Sequence, residues 1–383
     1  MISQSFKRSA VVLGAMAVTT FGYADGKWYD TIGISGYTQA SYVGNLNSPH
    51  AASTSVFPAP GSKLSNTGRQ LDTDSNGFAF NTFLLQVAKP VGDSDHYGFT
   101  VRLRTGQDAQ TLSGNNLWVQ EAYLTYAVPS TKLSIIGGKF VTPEGYEVVD
   151  TVSNPNFSLG LLFFAAEPIT HTGLKANYVL SDKANVTLGV VNGWDALPGN
   201  QGAPDINDGK TILWQVATTP TKQITWSFQG TYGKEMADPT HSQRLSLDTV
   251  LGFNPMDKVT LALQGNWGQD THATATDGTT HWSGLGLWAS FAETAKCTTS
   301  ARFEVLKDQN NANRFGAGAF ATTGTPNQTV KEFTITQKHM VTTAMGVRAE
   351  YRHDWSNEAY FVKHDGSAVR NQNTISADWF VTF

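Results

Sequence analysis

The chain has 383 residues with 27 Lys and Arg against 31 Asp and Glu, a formal charge of −4, and 36 Gly, 12 Tyr and 10 Trp. That aromatic content excludes a disordered chain, and no run of Lys or Arg follows the first few residues, so nucleic acid is not an expected partner. A single cysteine, Cys297, excludes an internal disulfide framework and any Cys-based zinc site.

Residues 1–24 pair a basic start, Lys7 and Arg8, with an apolar stretch from Ala10 to Val18 and small residues Gly22 and Ala24. This is the pattern of a cleaved secretory signal, too short to span a bilayer as a helix. Removal leaves residues 25–383 as one predicted domain with a formal charge of −6. The longest apolar run in it, Gly160 to Ala166, is only seven residues.

From there the period is two, rich in Val, Ile, Thr, Tyr, Phe and Trp, which reads as β-strand. Sixteen segments are predicted: 31–43, 78–89, 96–106, 118–127, 131–140, 169–180, 184–194, 210–219, 223–234, 243–253, 258–269, 282–292, 296–307, 331–339, 342–354 and 372–383. In 223–234, Ile224, Trp226, Phe228 and Tyr232 alternate with Thr225, Ser227, Gln229 and Thr231, giving one apolar and one wet face. Short turns follow the even strands and long polar loops the odd ones, which predicts an up-and-down order with both termini on the short-turn side.

Antiparallel sandwiches and membrane barrels both present such faces. Strands of ~9–11 residues match a bilayer better than a sandwich, whose strands average about 5–6, and closure removes exposed edges. The predicted fold class is therefore all-β: a closed antiparallel transmembrane β-barrel of about 16 strands, with short periplasmic turns and long extracellular loops. Aromatics near strand ends, Trp118, Tyr126, Trp194, Tyr232, Phe253, Trp267, Trp282 and Phe291, are expected in the two interfacial girdles. Trp379, Val381 and the final Phe383 share one face and read as an insertion signal.

Several stretches then carry a family likeness: GISGYTQASYVGNLNSP (33–49), FAFNTFLLQVAKPV (78–91), YGFTVRLRTG (97–106), VQEAYLTYAVP (119–129), GGKFVTPEGYEVVD (137–150), VVNGWD (190–195) and RAEYRHDWS (348–356). The chain resembles the beta-barrel porin-2 (OmpL-like) family of Gram-negative outer-membrane proteins. The resemblance implies an outer-membrane location among its lipids, insertion by the barrel assembly machinery, a homotrimer by analogy, and a third loop folded into the barrel.

Taking the face opposite the apolar one as lumen predicts a lining of Arg102, Arg104, Glu121, Lys175, Arg244, Asp248, Arg302, Glu304, Arg348, Glu350, Arg352 and Asp378. Arg or Lys facing lipid at mid-depth costs ~2–4 kcal/mol, which favours this parity. Arg102, Lys175, Asp248, Arg302, Arg348 and Asp378 lie about six residues above the short turns and are expected to form a mixed ring or neutral wall pairs. The third loop, 141–168, holds Glu144, Glu147, Asp150 and Glu167 with no Lys or Arg, and GLLFFAA (160–166) is too apolar to lie in water. Facing a basic wall, these carboxylates are the expected constriction; the alternative is a solvated extracellular loop.

Asp72, Asp74 and Asn76 begin a calcium-loop pattern, but position twelve is Phe83, so they remain a weak candidate and no metal or cofactor is expected. Gly284, Gly286 and Ala289 match a dinucleotide pattern with no helix behind it, an accidental match. The histidines, among them His50, His171, His241, His281 and His353, show no ligand spacing, and no catalytic arrangement appears. The expected function is a porin passing small hydrophilic solutes or ions by passive diffusion; the alternative is a non-conducting barrel whose loops bind a partner.

Overall fold

A computed structural model describes residues 31–55, 59, 61–92, 95–195, 207–235, 242–271, 278–309 and 327–383. The signal segment and His241 lie outside these. The strands are β1 (Gly33–Asn45), β2 (Asn76–Lys89), β3 (Tyr97–Thr105), β4 (Leu117–Ala127), β5 (Leu133–Val141), β6 (Thr170–Ser181), β7 (Ala184–Val191), β8 (Thr211–Thr218) and β9 (Ile224–Gly233). They continue as β10 (Gln243–Met256), β11 (Val259–Thr271), β12 (Thr280–Ala292), β13 (Cys297–Gln309), β14 (Gln328–Met340), β15 (Met345–Ser356), β16 (Phe361–Val362), β17 (Ala368–Val369) and β18 (Asn371–Thr382). No barrel-strand boundary differs by more than three residues from the one predicted.

From β1 to β15 each strand pairs antiparallel with its chain neighbour, β15 pairs with β18, and β18 pairs with β1 to close a sixteen-strand barrel. The seam is finished by the last residue: Gly36 and Phe383 exchange backbone hydrogen bonds of 2.9 and 3.0 Å, and the Phe383 ring stacks on Phe83 with centroids 6.0 Å apart. Trp379, Val381 and Phe383 all face outward and are exposed. The remaining two strands, β16 and β17, form a two-residue ladder in the last loop, too short to show as alternation. Helices α1 (Gln107–Ser113) and α2 (Leu161–Ala165) also lie in loops. No helix among the described residues is long and apolar enough to cross a membrane, which bears only on helical spans.

Side-chain parity sorts the two faces as the period-two pattern requires. Leu124, Leu174, Leu188, Leu251, Leu285, Leu287 and Ile375 are exposed on the outside, whereas Ser227, Gln229, Ser246, Gln264 and Thr336 are buried on the inside. Tyr126, Tyr232, Phe253 and Phe291 are exposed outward near strand ends, as expected of girdle residues. Trp118, Trp194 and Trp282 are a correction, since all three are buried. Trp282 projects inward, where its indole N–H donates to Asn266 Oδ1 at 3.0 Å and the Arg244 guanidinium lies over its ring. Its apolar surroundings come from loop residues packed inside the barrel.

Candidate lumen site

That packing comes chiefly from the loop after β5, residues 142–169. Its neck is closed by the Thr142 N–H donating to Ile169 O at 3.0 Å, and from there it visits most of the inner wall. Gly145 N–H donates to Asp248 at 3.1 Å and Tyr146 N–H to Gln264 at 3.0 Å, on β10 and β11. Glu147 then meets Arg302 of β13 at 2.6 Å. Three residues later Asp150 meets both Arg102 and Arg104 of β3, each at 2.6 Å. The order of the closed sheet puts β3 and β13 six strands apart. Three residues of extended chain reach only about 10 Å, so the long side chains at both ends complete a strut between separate sectors of the wall.

The return path is held by exchanged backbone groups. Arg348 donates to the carbonyls of Thr151 and Asn156 at 2.8 and 3.1 Å, and Arg352 to that of Leu159 at 2.7 Å. Glu350 accepts from Phe157 and Ser158 N–H at 2.7 and 3.1 Å, and Glu304 accepts from Leu161 and Leu162 N–H. Wall cations thus take loop carbonyls and wall carboxylates take loop amides, which satisfies backbone that would otherwise be stranded away from water.

Helix α2 docks into a recess of the wall. Among the inward positions of β12 are Trp282, Gly284, Gly286 and Trp288, and a Cβ placed on Gly284 would lie 2.2 Å from Leu162 Cδ2. The two glycines that form no nucleotide site make the seat for Leu162. Leu161, Leu162, Ala165 and Ala166 share one apolar cluster with Ala262, Trp282, Trp288 and Leu306. A second cluster joins Leu159 and Phe163 to Leu112 of α1 and Trp118 of β4.

All twelve predicted lining residues take inward positions, though they do not form an open ring of charges: loop 142–169 covers most of them. Arg102, Arg104, Glu121, Arg244, Asp248, Arg302, Glu304, Arg348, Glu350, Arg352 and Asp378 are each at most 6% exposed. Arg348 makes a two-pronged pair with Asp378 (both 2.9 Å) and Arg244 another with Asp270 (2.7 and 2.9 Å). Glu121 holds Arg102 at 3.1 Å beside a bulge in β4. Lys175 differs: it is half-buried, with its ammonium 4.1 Å from the centre of the Phe140 ring.

Among the predicted loop carboxylates, Glu144 accepts from Ser246 Oγ at 2.6 Å and Glu167 from Gln264 at 3.2 Å. Burial, with Asp248 nearby, pushes the Glu144 carboxyl up to about 8, and burial with Asp248 raises Glu167 too. Burial alone would raise Asp150 as well, but the Arg102 and Arg104 guanidiniums outweigh it and hold that carboxyl below its ordinary value.

The calcium-pattern residues turn apart: Asp72 pairs with Arg69 at 3.0 Å, Asp74 with Lys63, and Asn76 Oδ1 accepts from Asn45 N–H at 3.0 Å. Among the described wall residues, four inward carboxylates were missed by the sequence reading: Asp270, Glu332 and Asp354, partners of Arg244, Arg302 and Arg352, and Asp308, opposite Trp282. Glu332 and Asp354 lie inside the predicted strands 331–339 and 342–354, near their ends, where the parity already used finds them; Asp270 and Asp308 lie one residue beyond predicted strands, and carrying the alternation that far reaches them.

A family model described as "Putative beta-barrel porin-2, OmpL-like" matches residues 31–383. No curated protein matches the chain in sequence. Among solved structures, the outer membrane channel DcaP of Acinetobacter baumannii is similar at 10% identity and a TM-score of 0.60, over 92% of this chain and 97% of that one. An anion-selective porin from Comamonas acidovorans is similar at 10% identity and a TM-score of 0.61, over 92% and 99%. The trimer form of the Vibrio cholerae outer membrane protein OmpT is similar at 10% identity and a TM-score of 0.56, over 92% and 99%. At these identities the likeness concerns the fold.

Proposed function

The chain belongs to the beta-barrel porin-2, OmpL-like family, multi-pass β-barrels of the outer membrane, and on that premise we propose that it passes small hydrophilic solutes and ions by passive diffusion along a narrowed, water-filled lumen. The observation that carries the reading is a polar sector the third loop leaves uncovered. On the inner face of β4–β7, Tyr123, Ser134, Lys175, Asn177 and Asn185 stay half-exposed, while the inner face from β10 round to β3 is largely buried. Solutes follow that sector, past Lys175 and Asn177. A sixteen-strand barrel is wide enough for an aqueous channel, and the strut accounts for its narrowing.

Single-channel recording of detergent-purified protein in a planar bilayer tests this. Discrete, persistently open steps of small size are expected, with reversal potentials in a salt gradient giving the ion preference. A barrel that migrates as folded and never conducts overturns the reading. A second reading, a closed barrel whose loops bind a partner, is favoured by the loop's engagement of both β3 and β13, and that silent barrel is the result it requires. The trimer form recorded for OmpT supports a homotrimer here, which cross-linking before denaturation tests.

A further inference from the structure

The parity of the wall leaves one part of its outer surface charged. Every Asp and Glu on the barrel strands stands inward and is at most 6% exposed, so a cation on the outer face finds no carboxylate beside it in the sheet. Two lysines occupy such positions near the long loops. Lys307 of β13 shares the outward parity of Phe303 and Val305, and Lys331 of β14 that of the exposed Phe333 and Ile335. Neither makes an ion pair or a hydrogen bond among the described residues, and residues 310–327, which join the two strands, contain one arginine and no Asp or Glu. Lys139 of β5 is placed differently, with its ammonium 5.0 Å from the centre of the Trp118 ring.

The strand registers bring the two lysines together. Lys307 lies opposite Thr329, and Lys331 follows two residues along the same face, a diagonal spacing of about 7–8 Å. A single phosphate can meet both ammoniums at that spacing, because each ends a flexible four-carbon stem. Tryptophans flank the pair. Lys331 stands opposite Trp355 of β15, whose ring stacks on His353 with centroids 5.1 Å apart. On the other side Ser283 separates Lys307 from Trp267, whose ring centre is 5.9 Å from that of His281.

Height decides which leaflet this patch meets. Lys307 is ten residues along β13 from Cys297, which at ~3.3 Å per residue and a tilt of ~40° is about 25 Å above the short turns. That is the full height of the apolar band, so both ammoniums reach the headgroups of the extracellular leaflet. We propose that Lys307 and Lys331 hold a phosphate of a phosphorylated glycolipid of that leaflet, with its sugar against Trp355. The inference rests on the outer-membrane placement and is independent of conduction. Charge complementarity selects a phosphate over a neutral headgroup. The tryptophan beside the lysines favours a sugar phosphate over a plain phosphodiester, because the C–H face of a sugar ring packs on an aromatic ring. Lysines that only snorkel to water would distinguish none of these.

Native mass spectrometry reads this out on detergent-extracted protein incubated with equimolar bis-phosphorylated lipid A, dephosphorylated lipid A and palmitoyl-oleoyl phosphatidylglycerol. One bis-phosphorylated lipid A per chain is expected to survive activation that strips the other two. A lysine near a charged headgroup contributes ~1 kcal/mol, about fivefold, so Lys307→Gln and Lys331→Gln should each cut retention by that factor. Lys258→Gln with Lys296→Gln, at the short turns, should leave retention unchanged. Heat-modifiable migration on gels checks that each variant is folded. Should the Lys307 and Lys331 variants fail to fold, amine acetylation of the native protein in detergent replaces them. Added lipid A is expected to slow the reaction about fivefold at Lys307 and Lys331 and to leave Lys258 and Lys296 unaffected. Equal retention of dephosphorylated lipid A or of phosphatidylglycerol, full retention in the folded Lys307→Gln and Lys331→Gln variants, or acetylation that lipid A does not slow would each overturn the proposal.

Discussion

Asp150→Ala tests the strut most directly. Asp150 accepts charge-assisted bonds of 2.6 Å from Arg102 and Arg104, and a third of 3.3 Å from Gln120, all buried. Breaking a buried pair by removing one partner costs about 3–5 kcal/mol, but here Arg102 keeps Glu121 and Arg104 keeps Asp108. We therefore take the lower end, about 3 kcal/mol in favour of the released loop, which at ~1.4 kcal/mol per decade is a shift of roughly a hundredfold. The substitution also removes one negative charge beside two guanidiniums. In planar bilayers the variant should show larger, noisier steps and a reversal potential moved toward anions. Heat-modifiable migration on gels serves as the control for folding. A folded variant with native step size, noise and reversal potential would refute the view that the crossing between β3 and β13 holds the loop.

Other perturbations separate position from charge. Gly284→Val pushes a methyl group into Leu162, where a built Cβ already lies 2.2 Å from Cδ2. At about 1–3 kcal/mol of overpacking, it should enlarge single-channel steps without moving the reversal potential. Lys175→Glu, in the uncovered sector, should move the reversal potential toward cations at nearly native step size, and a salt-gradient measurement on the folded protein decides it. For pH, Glu144 in the seated loop is raised to about 8 by burial and by Asp248, against ~4.3 when solvated. The seated loop therefore holds more protons than the released one across that window, and it loses hold as pH rises from about 4.3 to 8. Step size should grow between pH 6 and 9, and Glu144→Gln should flatten that dependence. Deleting Phe383 removes the paired hydrogen bonds with Gly36 that finish the seam, and should slow folding into liposomes as followed by gel shift.

The wall was legible because alternation is a local property: each barrel strand was found within three residues, and with it the face on which Arg102, Arg302 and Arg348 stand. What those arginines do was not legible. Arg348 takes Asp378 thirty residues away together with loop carbonyls nearly two hundred residues away, and no periodicity encodes which carbonyl of a loop meets which guanidinium. A parity rule says that a charge faces inward; it cannot say whether water or backbone meets it there.

One part of the loop was readable and was misread for a physical reason. GLLFFAA was expected to need an apolar seat, and its seat lay in the sequence as Trp282, Gly284, Gly286 and Trp288, all on the inward parity of β12. Two tryptophans and two glycines are wrong for a wet wall, since the indoles would be stranded in water and the glycines weaken a strand unless something approaches closely. The girdle assignment weighed nearness to a strand end above parity and so put Trp282 in lipid. Parity is the stronger constraint, because a one-residue error moves a side chain to the opposite face, whereas strand-end position varies by a residue or two without energetic consequence. Applied strictly, it makes an inward apolar stretch in a porin-like wall the mark of a landing site, and it pairs that stretch with the one loop segment too apolar to remain outside.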